Sequence, residues 1–234
     1  MRYFRGRSVV FLGAVVFAGT LVGCGVGPWL AWQLSPAQTV AAQYEPPEGK
    51  MILVFPDDML RPVNYEPVKQ ILASEINRLL VKNKIAAVTV PYQNLAEMES
   101  KTSGFNKLSV SEVGQKLGAH IVLYVHIDRF SLKDDEANPL WHGKLEATVR
   151  MVEVKKGLLW PKDRPAGWPV EPLDVPTTED SKTYDTRLAR ILAERMAERI
   201  VNLFCKHTAD QRPSKLACQA RRREYNVAGQ ASSG

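Results

Sequence analysis

The run Ile121-Val122-Leu123-Tyr124-Val125-His126-Ile127 constrains this chain more than any other stretch. It is almost continuously apolar and rich in β-branched and aromatic side chains. Such a run suits a strand covered on both faces, at the centre of a sheet. Leu117 and Gly118 precede it as a helix end and a turn. A second strand follows from about Gly143 to Val154, in which Leu145, Ala147, Val149 and Met151 alternate with more polar neighbours. Lys155, Lys156 and Gly157 make the turn that ends it, with Gly157 free to adopt positive φ.

Other elements group around this pair. Met51 to Phe55 is a short apolar run stopped by Pro56, Asp57 and Asp58, and reads as a first strand. Val68, Ile71, Leu72, Ile76, Leu79 and Leu80 recur at helical spacing, with Lys69, Gln70, Ser74, Asn77 and Arg78 on the opposite side. Ala86 to Val90 is a further strand cut off by Pro91. Residues 92–108 read as a polar loop. Ser109 and Glu112 have the spacing of a capping box, opening a short helix that buries Val113 and Leu117. Five prolines between Pro161 and Thr183 forbid a central strand there but permit an edge strand from Trp168 to Val175. The last element is an amphipathic helix from Tyr184 to Lys206, with a stripe of Leu188, Ile191, Leu192, Met196, Ile200, Val201, Leu203 and Phe204. The order is strand, helix, strand, helix, strand, strand, proline-rich segment with room for an edge strand, helix. It predicts an α/β domain over residues 51–207, with helices packed on a mixed sheet.

The start of the chain carries an address. MRYFRGR is basic, SVVFLGAVVFAGTLVG is apolar, and Cys24 follows at once. That pattern is a secretory signal over residues 1–23. The segment Leu21-Val22-Gly23-Cys24 resembles the lipobox of bacterial lipoproteins, in which the cysteine sulfur receives a diacylglycerol and the peptide is cut just before it. The resemblance implies lipidation at Cys24, anchorage in the membrane and, with Gly25 next to it, outer-membrane sorting with the domain facing the periplasm. An inner-membrane anchor is the other reading, because GVGPWLAW prolongs the apolar run from Val9 to Trp32 enough to span a bilayer. Residues 24–50 read as a tether about 30 Å from end to end. Residues 208–234 read as a basic flexible tail.

The net charge of +6 is concentrated at the ends. Arg2, Arg5 and Arg7 supply three positive charges and the stretch after Cys205 a net four, so residues 24–205 come to −1. A near-neutral body argues against a nucleic-acid-binding domain.

Candidate chemistry is sparse. His120, His126 and Asp128 share one face of the predicted strand, and His142 approaches from the next loop; together they could ligate zinc. Asp57 and Asp58 could serve as paired carboxylates, or simply cap a loop. No glycine-rich phosphate loop or nucleophile elbow is present. The sequence reading therefore names no catalytic residue, no metal and no cofactor. Cys205 and Cys218 are the cysteines that remain once Cys24 is modified, and export would place them where a disulfide forms readily. Arg221, Arg222 and Arg223 read as a solvated basic run, or as a contact for anionic lipid.

Several local features, taken in order, resemble one group. KMILVFPDD resembles the first strand, SVSEVGQKLGAHIVLYVHI the helix-to-central-strand segment, MVEVKKGLLW the strand with its charged turn, and AERIVNLFCKH the closing helix, of envelope lipoproteins related to CsgG, LpoB and the N-terminal domain of TolB. The resemblance implies non-enzymatic work in the bacterial envelope, as an interaction module supporting assembly, secretion or cell-wall synthesis with a periplasmic protein partner. It also raises a homo-oligomeric ring. The chain lacks residues for a TolB propeller and lacks the alternating hairpins of a CsgG pore. A small metal-dependent or hydrolytic enzyme is the alternative from a different class.

Overall fold

The computed structural model describes residues 39–58, 63, 65, 67–134, 141–176 and 184–208. The predicted signal, Cys24, Cys218 and the arginines at 221–223 lie outside the described residues.

The first strand, β1 (Met51–Asp57), runs two residues past the apolar stretch and includes Pro56 and Asp57. Helix α1 (Pro67–Lys82) follows. Its buried stripe of Val68, Leu72, Ile76, Leu79 and Leu80 follows the helical spacing seen in the sequence; Ala73 joins it, and Ile71 is only half-buried. Lys69 departs from expectation. Periodicity places it on the solvent side, but it is buried, with its ammonium 3.2 Å from Asp58 Oδ1. The helix ends in a turn at Lys84, which takes a positive φ of 59°. Strand β2 (Val88–Val90) lies at the sheet edge.

The expected loop after Pro91 is mostly helix. Helix α2 (Tyr92–Lys101) buries only Tyr92 and Leu95, so it lacks the long apolar stripe by which helices are recognised. Its residues are nonetheless good helix formers, and Glu97 and Lys101 pair one turn apart at 2.5 Å. A single 3₁₀ turn over Phe105–Lys107 leads to α3 (Val110–Lys116). Here the capping box is complete: the Ser109 hydroxyl accepts from the Glu112 amide at 3.2 Å, and the Glu112 carboxylate accepts from the Ser109 amide at 2.7 Å. Gly118 then turns the chain with φ 72°.

Strand β3 (Ile121–Ser131) is the centre of the sheet, and β4 (His142–Glu153) pairs with it antiparallel. After the turn at Gly157 comes β5 (Gly157–Trp160). The single edge strand expected between Trp168 and Val175 is two pieces, β6 (Trp168–Pro169) and β7 (Leu173–Pro176), both paired with β4. Pro169 and Pro172 have no amide hydrogen to continue a ladder, which explains the gap. Helix α4 (Tyr184–Asn202) closes the domain, ending before the expected Lys206.

The sheet is mixed. Its order is β2-β1-β3-β4-β5, with β1 parallel to both neighbours and β4 antiparallel to β3 and β5. Side-chain alternation divides it into two faces. Ile52, Val54, Ile121, Leu123, Val125, Ile127, Leu145, Val149 and Met151 point to one face and are almost completely buried. Helices α1 and α4 pack there, against each other and against the sheet. On α4 the buried stripe includes Ala189, Ala193 and Ala197 beside the larger residues, and Ile191 is only half-buried. On the opposite face, α3 presses Gly114 against Val122 and Val154, and Phe105 meets Phe55 edge-on with ring centres 6.0 Å apart. This is the α/β architecture with helices on a mixed sheet.

Tyr44, which the sequence reading puts in the tether, is held by the folded domain. Its amide and that of Gln43 donate to Leu203 O at 3.2 and 2.7 Å, and its ring stacks on Trp160.

Candidate functional site

The second face of the sheet is not apolar throughout. Beyond the part covered by α3 and Phe105, three strands bring polar side chains into one row. Backbone register decides which. Phe55 lies opposite Tyr124 and Asp57 opposite His126; Tyr124 lies opposite Arg150 and His126 opposite Thr148. The side chains at these positions share one face and meet.

The Tyr124 hydroxyl donates to Asp57 Oδ2. The same oxygen lies 3.4 Å from His126 Nδ1. On its other side, His126 Nε2 is 3.8 Å from Asp128 Oδ1, an ion-pair distance that is too long for a hydrogen bond. Thr148 Oγ1 donates to Asp128 Oδ2 at 2.7 Å. Arg150 stacks its guanidinium over the Tyr124 ring, 4.4 Å from the centre. Its Nε is buried with no hydrogen-bond partner among the described residues. Asp128 falls where the β3–β4 register shifts, between Ile127 and Arg129, a place where strands re-aim side chains. Asp57 and His126 keep 13% and 18% of their side-chain surface and Asp128 39%, so the row is increasingly exposed toward the bulge. Burial pushes the Tyr124 phenol well above its ordinary value, and the bond to Asp57 pushes it the same way. Tyr124 is thus a proton donor that stays protonated.

His126, Asp128 and Asp57 all stand out in the sequence, and the structure brings them together. The signal for Tyr124, Thr148 and Arg150 is also present there, as cross-strand positions on the same face, but only the register reveals it.

The zinc grouping does not form. His120 and His126 do share strand parity, but six residues of strand span about 20 Å, far beyond a shared ligand shell. His120 sits just before β3, where its Nδ1 accepts the Met51 amide at 3.1 Å. His142 lies at the start of β4 with Asp134 and Asp174. Among the described residues no three His, Cys, Asp or Glu side chains are placed to hold one metal ion. Asp58 does not pair with Asp57. It accepts the Val63 amide at 2.8 Å and the Lys69 ammonium, which is the loop-cap role. Cys205 directs its thiol to Val201 O at 3.6 Å, and burial raises its pKa. Its expected partner Cys218 is outside the described residues.

No family model matches the chain, and no curated protein matches it. Solved structures do. The lipoprotein GNA1162 from Neisseria meningitidis is 14% identical with a TM-score of 0.38, over 64% of this chain and 99% of that one. A PelC dodecamer from Paraburkholderia phytofirmans is 14% identical with a TM-score of 0.35, over 72% of this chain and 97% of that one. TolB from Acinetobacter baumannii is 11% identical with a TM-score of 0.27, over 71% of this chain and 31% of that one. Likenesses this distant carry neither a family nor a role to the chain.

Proposed function

We propose that this chain is a lipid-anchored protein of the bacterial envelope whose α/β domain works as a binding module in the periplasm, not as an enzyme. The observation that carries the reading is the start of the sequence: three arginines, an apolar run and Leu21-Val22-Gly23-Cys24. Cleavage before Cys24 leaves an acylated cysteine, and Gly25 beside it favours the outer membrane. The sheet face supports the second half of the reading. Its polar groups bond to one another across three strands, as a rigid docking surface requires, and Tyr124 is held in the protonated form, unsuited to a nucleophile. The row from Arg150 to Asp128 offers a cation at one end and a half-exposed carboxylate at the other, the pattern of charge that orients a protein partner.

Intact mass and membrane fractionation of the natively expressed protein, beside Cys24→Ala, test the reading. Loss of residues 1–23 with added acyl mass, and outer-membrane fractionation that Cys24→Ala abolishes, are expected. Retention of residues 1–23 with no effect of Cys24→Ala overturns the lipoprotein assignment.

A further inference from the structure

The imidazole of His142 is held at both nitrogens. Nδ1 faces Asp134 Oδ2, and Nε2 lies 2.5 Å from Asp174 Oδ1. An ionised carboxylate only accepts hydrogen bonds. A neutral imidazole offers one donor and one acceptor, so it can satisfy one of these partners and must repel the other. The imidazolium satisfies both. The geometry therefore selects the charged form.

The three residues come from three segments. Asp134 follows the end of β3, His142 opens β4, and Asp174 sits on β7. β7 pairs with β4 in the register His142–Pro176, Gly143–Val175, Lys144–Asp174 and Leu145–Leu173. It is only four residues long, and Pro176 has no amide hydrogen to give the ladder. A side-chain link across this pair thus bears more of the attachment than it would in a longer strand.

We propose that His142, Asp134 and Asp174 form a proton-operated clasp that fastens the edge strand β7 and the end of β3 to β4, and that opens when His142 loses its proton. Among the described residues, the surrounding charges fit. Lys144, on the same face of β4, donates to Asp134 Oδ1 at 2.6 Å and keeps that carboxylate ionised. Lys133, beside Asp134, is turned over the Trp141 ring, 4.5 Å from its centre. Glu171, ahead of β7, is 3.8 Å from Arg199. Glu146, further along β4, is 3.9 Å from Arg129. Helix α4 meets this end of β4 from the opposite face, through Leu188 and Leu192 at Gly143.

The pH window follows from the directions. The bond to Asp174 and then that to Asp134 raise the His142 pKa above its ordinary 6.5. The bonds from Lys144 and His142 lower Asp134 below its ordinary 3.8. A raised histidine contributes fully below its unfolded value, and its contribution is lost as pH rises through the folded value. A depressed aspartate contributes above its unfolded value, and that contribution is lost as pH falls through the folded one. The clasp is closed between the two and opens on the alkaline side. Opening bares the β4 backbone from His142 to Leu145, a strand edge able to pair with another strand.

Hydrogen exchange of the β7 peptide in the full-length protein tests this, compared at about pH 6 and about pH 8.5 after correction for the intrinsic rate. Protection of Leu173–Val175 should fall about five-fold between the two conditions, the size of one hydrogen bond. In His142→Gln and in Asp174→Asn it should be low and independent of pH. The Asp174→Asn protein also keeps the test open if His142→Gln does not fold. An NMR titration of His142 should show a midpoint above 6.5 in the parent and nearer 6.5 in Asp174→Asn. A parent midpoint at or below 6.5, or β7 protection that is the same at both pH values, overturns the proposal.

Discussion

Gly114 of α3 sits so close to Val122 of β3 that a Cβ on the glycine would lie 2.5 Å from Val122 Cγ2 and 2.8 Å from Val154 Cγ2. Both neighbours are β-branched and cannot swing aside cheaply. Alanine at 114 would favour the helix by about 0.5–1 kcal/mol, but overpacking costs about 1–3 kcal/mol. Gly114→Ala is therefore expected to destabilise the domain, read as a lower urea midpoint with an unchanged slope. A rise in the midpoint would mean that α3 lifts from the sheet without cost.

The bond from Tyr124 to Asp57 ties β3 to β1 at the polar end of the second face. Tyr124→Phe removes a hydrogen bond to a charged group, worth about 1.5–3 kcal/mol. The phenol's raised pKa gives a second readout. Its contribution is complete below its ordinary value of 10.0 and disappears only as pH rises through the higher folded value. Between about pH 9 and 11, then, the folded parent and Tyr124→Phe should develop nearly the same tyrosinate absorbance. A parent signal larger by one tyrosine in that range would show an ordinary phenol.

Much of the fold is legible in the sequence because burial leaves a periodic trace. Ile121, Leu123, Val125 and Ile127 on β3, and Leu72, Ile76 and Leu79 on α1, carry strand and helix spacing that only a core requires. Ser109 and Glu112 are legible because a capping box is local chemistry. Helix α2 escapes notice because its anchors are just Tyr92 and Leu95, with no stripe to read. Periodicity puts Lys69 in solvent because its partner Asp58 is eleven residues away and invisible to helical spacing. The site divides in the same way. Parity puts His126 and Asp128 on one face, but parity carries no distance, so it also gathers His120, which lies at the far end of the strand. Tyr124 with Arg150, and His142 with Asp134 and Asp174, depend on the β3–β4 and β4–β7 registers, which strand parity alone does not reveal.

Cys205 offers a test of the closing turn. Its thiol is half-buried against Val201 O, and burial raises its pKa. Less thiolate is then present at a given pH, and alkylation is slower. In reduced, folded protein at about pH 8, Cys205 should react with iodoacetamide several-fold more slowly than in the same protein in urea. Equal rates would place the thiol in open solvent and detach the segment after α4 from the domain.

A core position of the sheet and an exposed position on its edge should differ sharply in what they tolerate. Leu123 is fully buried on the face where α1 and α4 pack, while Val88 on the edge strand β2 is 51% exposed. Leu123→Ala removes three carbons from a packed interior and leaves a cavity, at a cost of about 2–5 kcal/mol. Val88→Thr changes a side chain already in water and should move stability by about 0.5 kcal/mol or less. Thermal melts of the two variants beside the parent decide the matter: a large drop for Leu123→Ala and almost none for Val88→Thr locates the core under α1 and α4. A comparable drop for Val88→Thr would mean that the edge of β2 is covered in the assembled protein, and the outer strand would then be the next place to look for a partner.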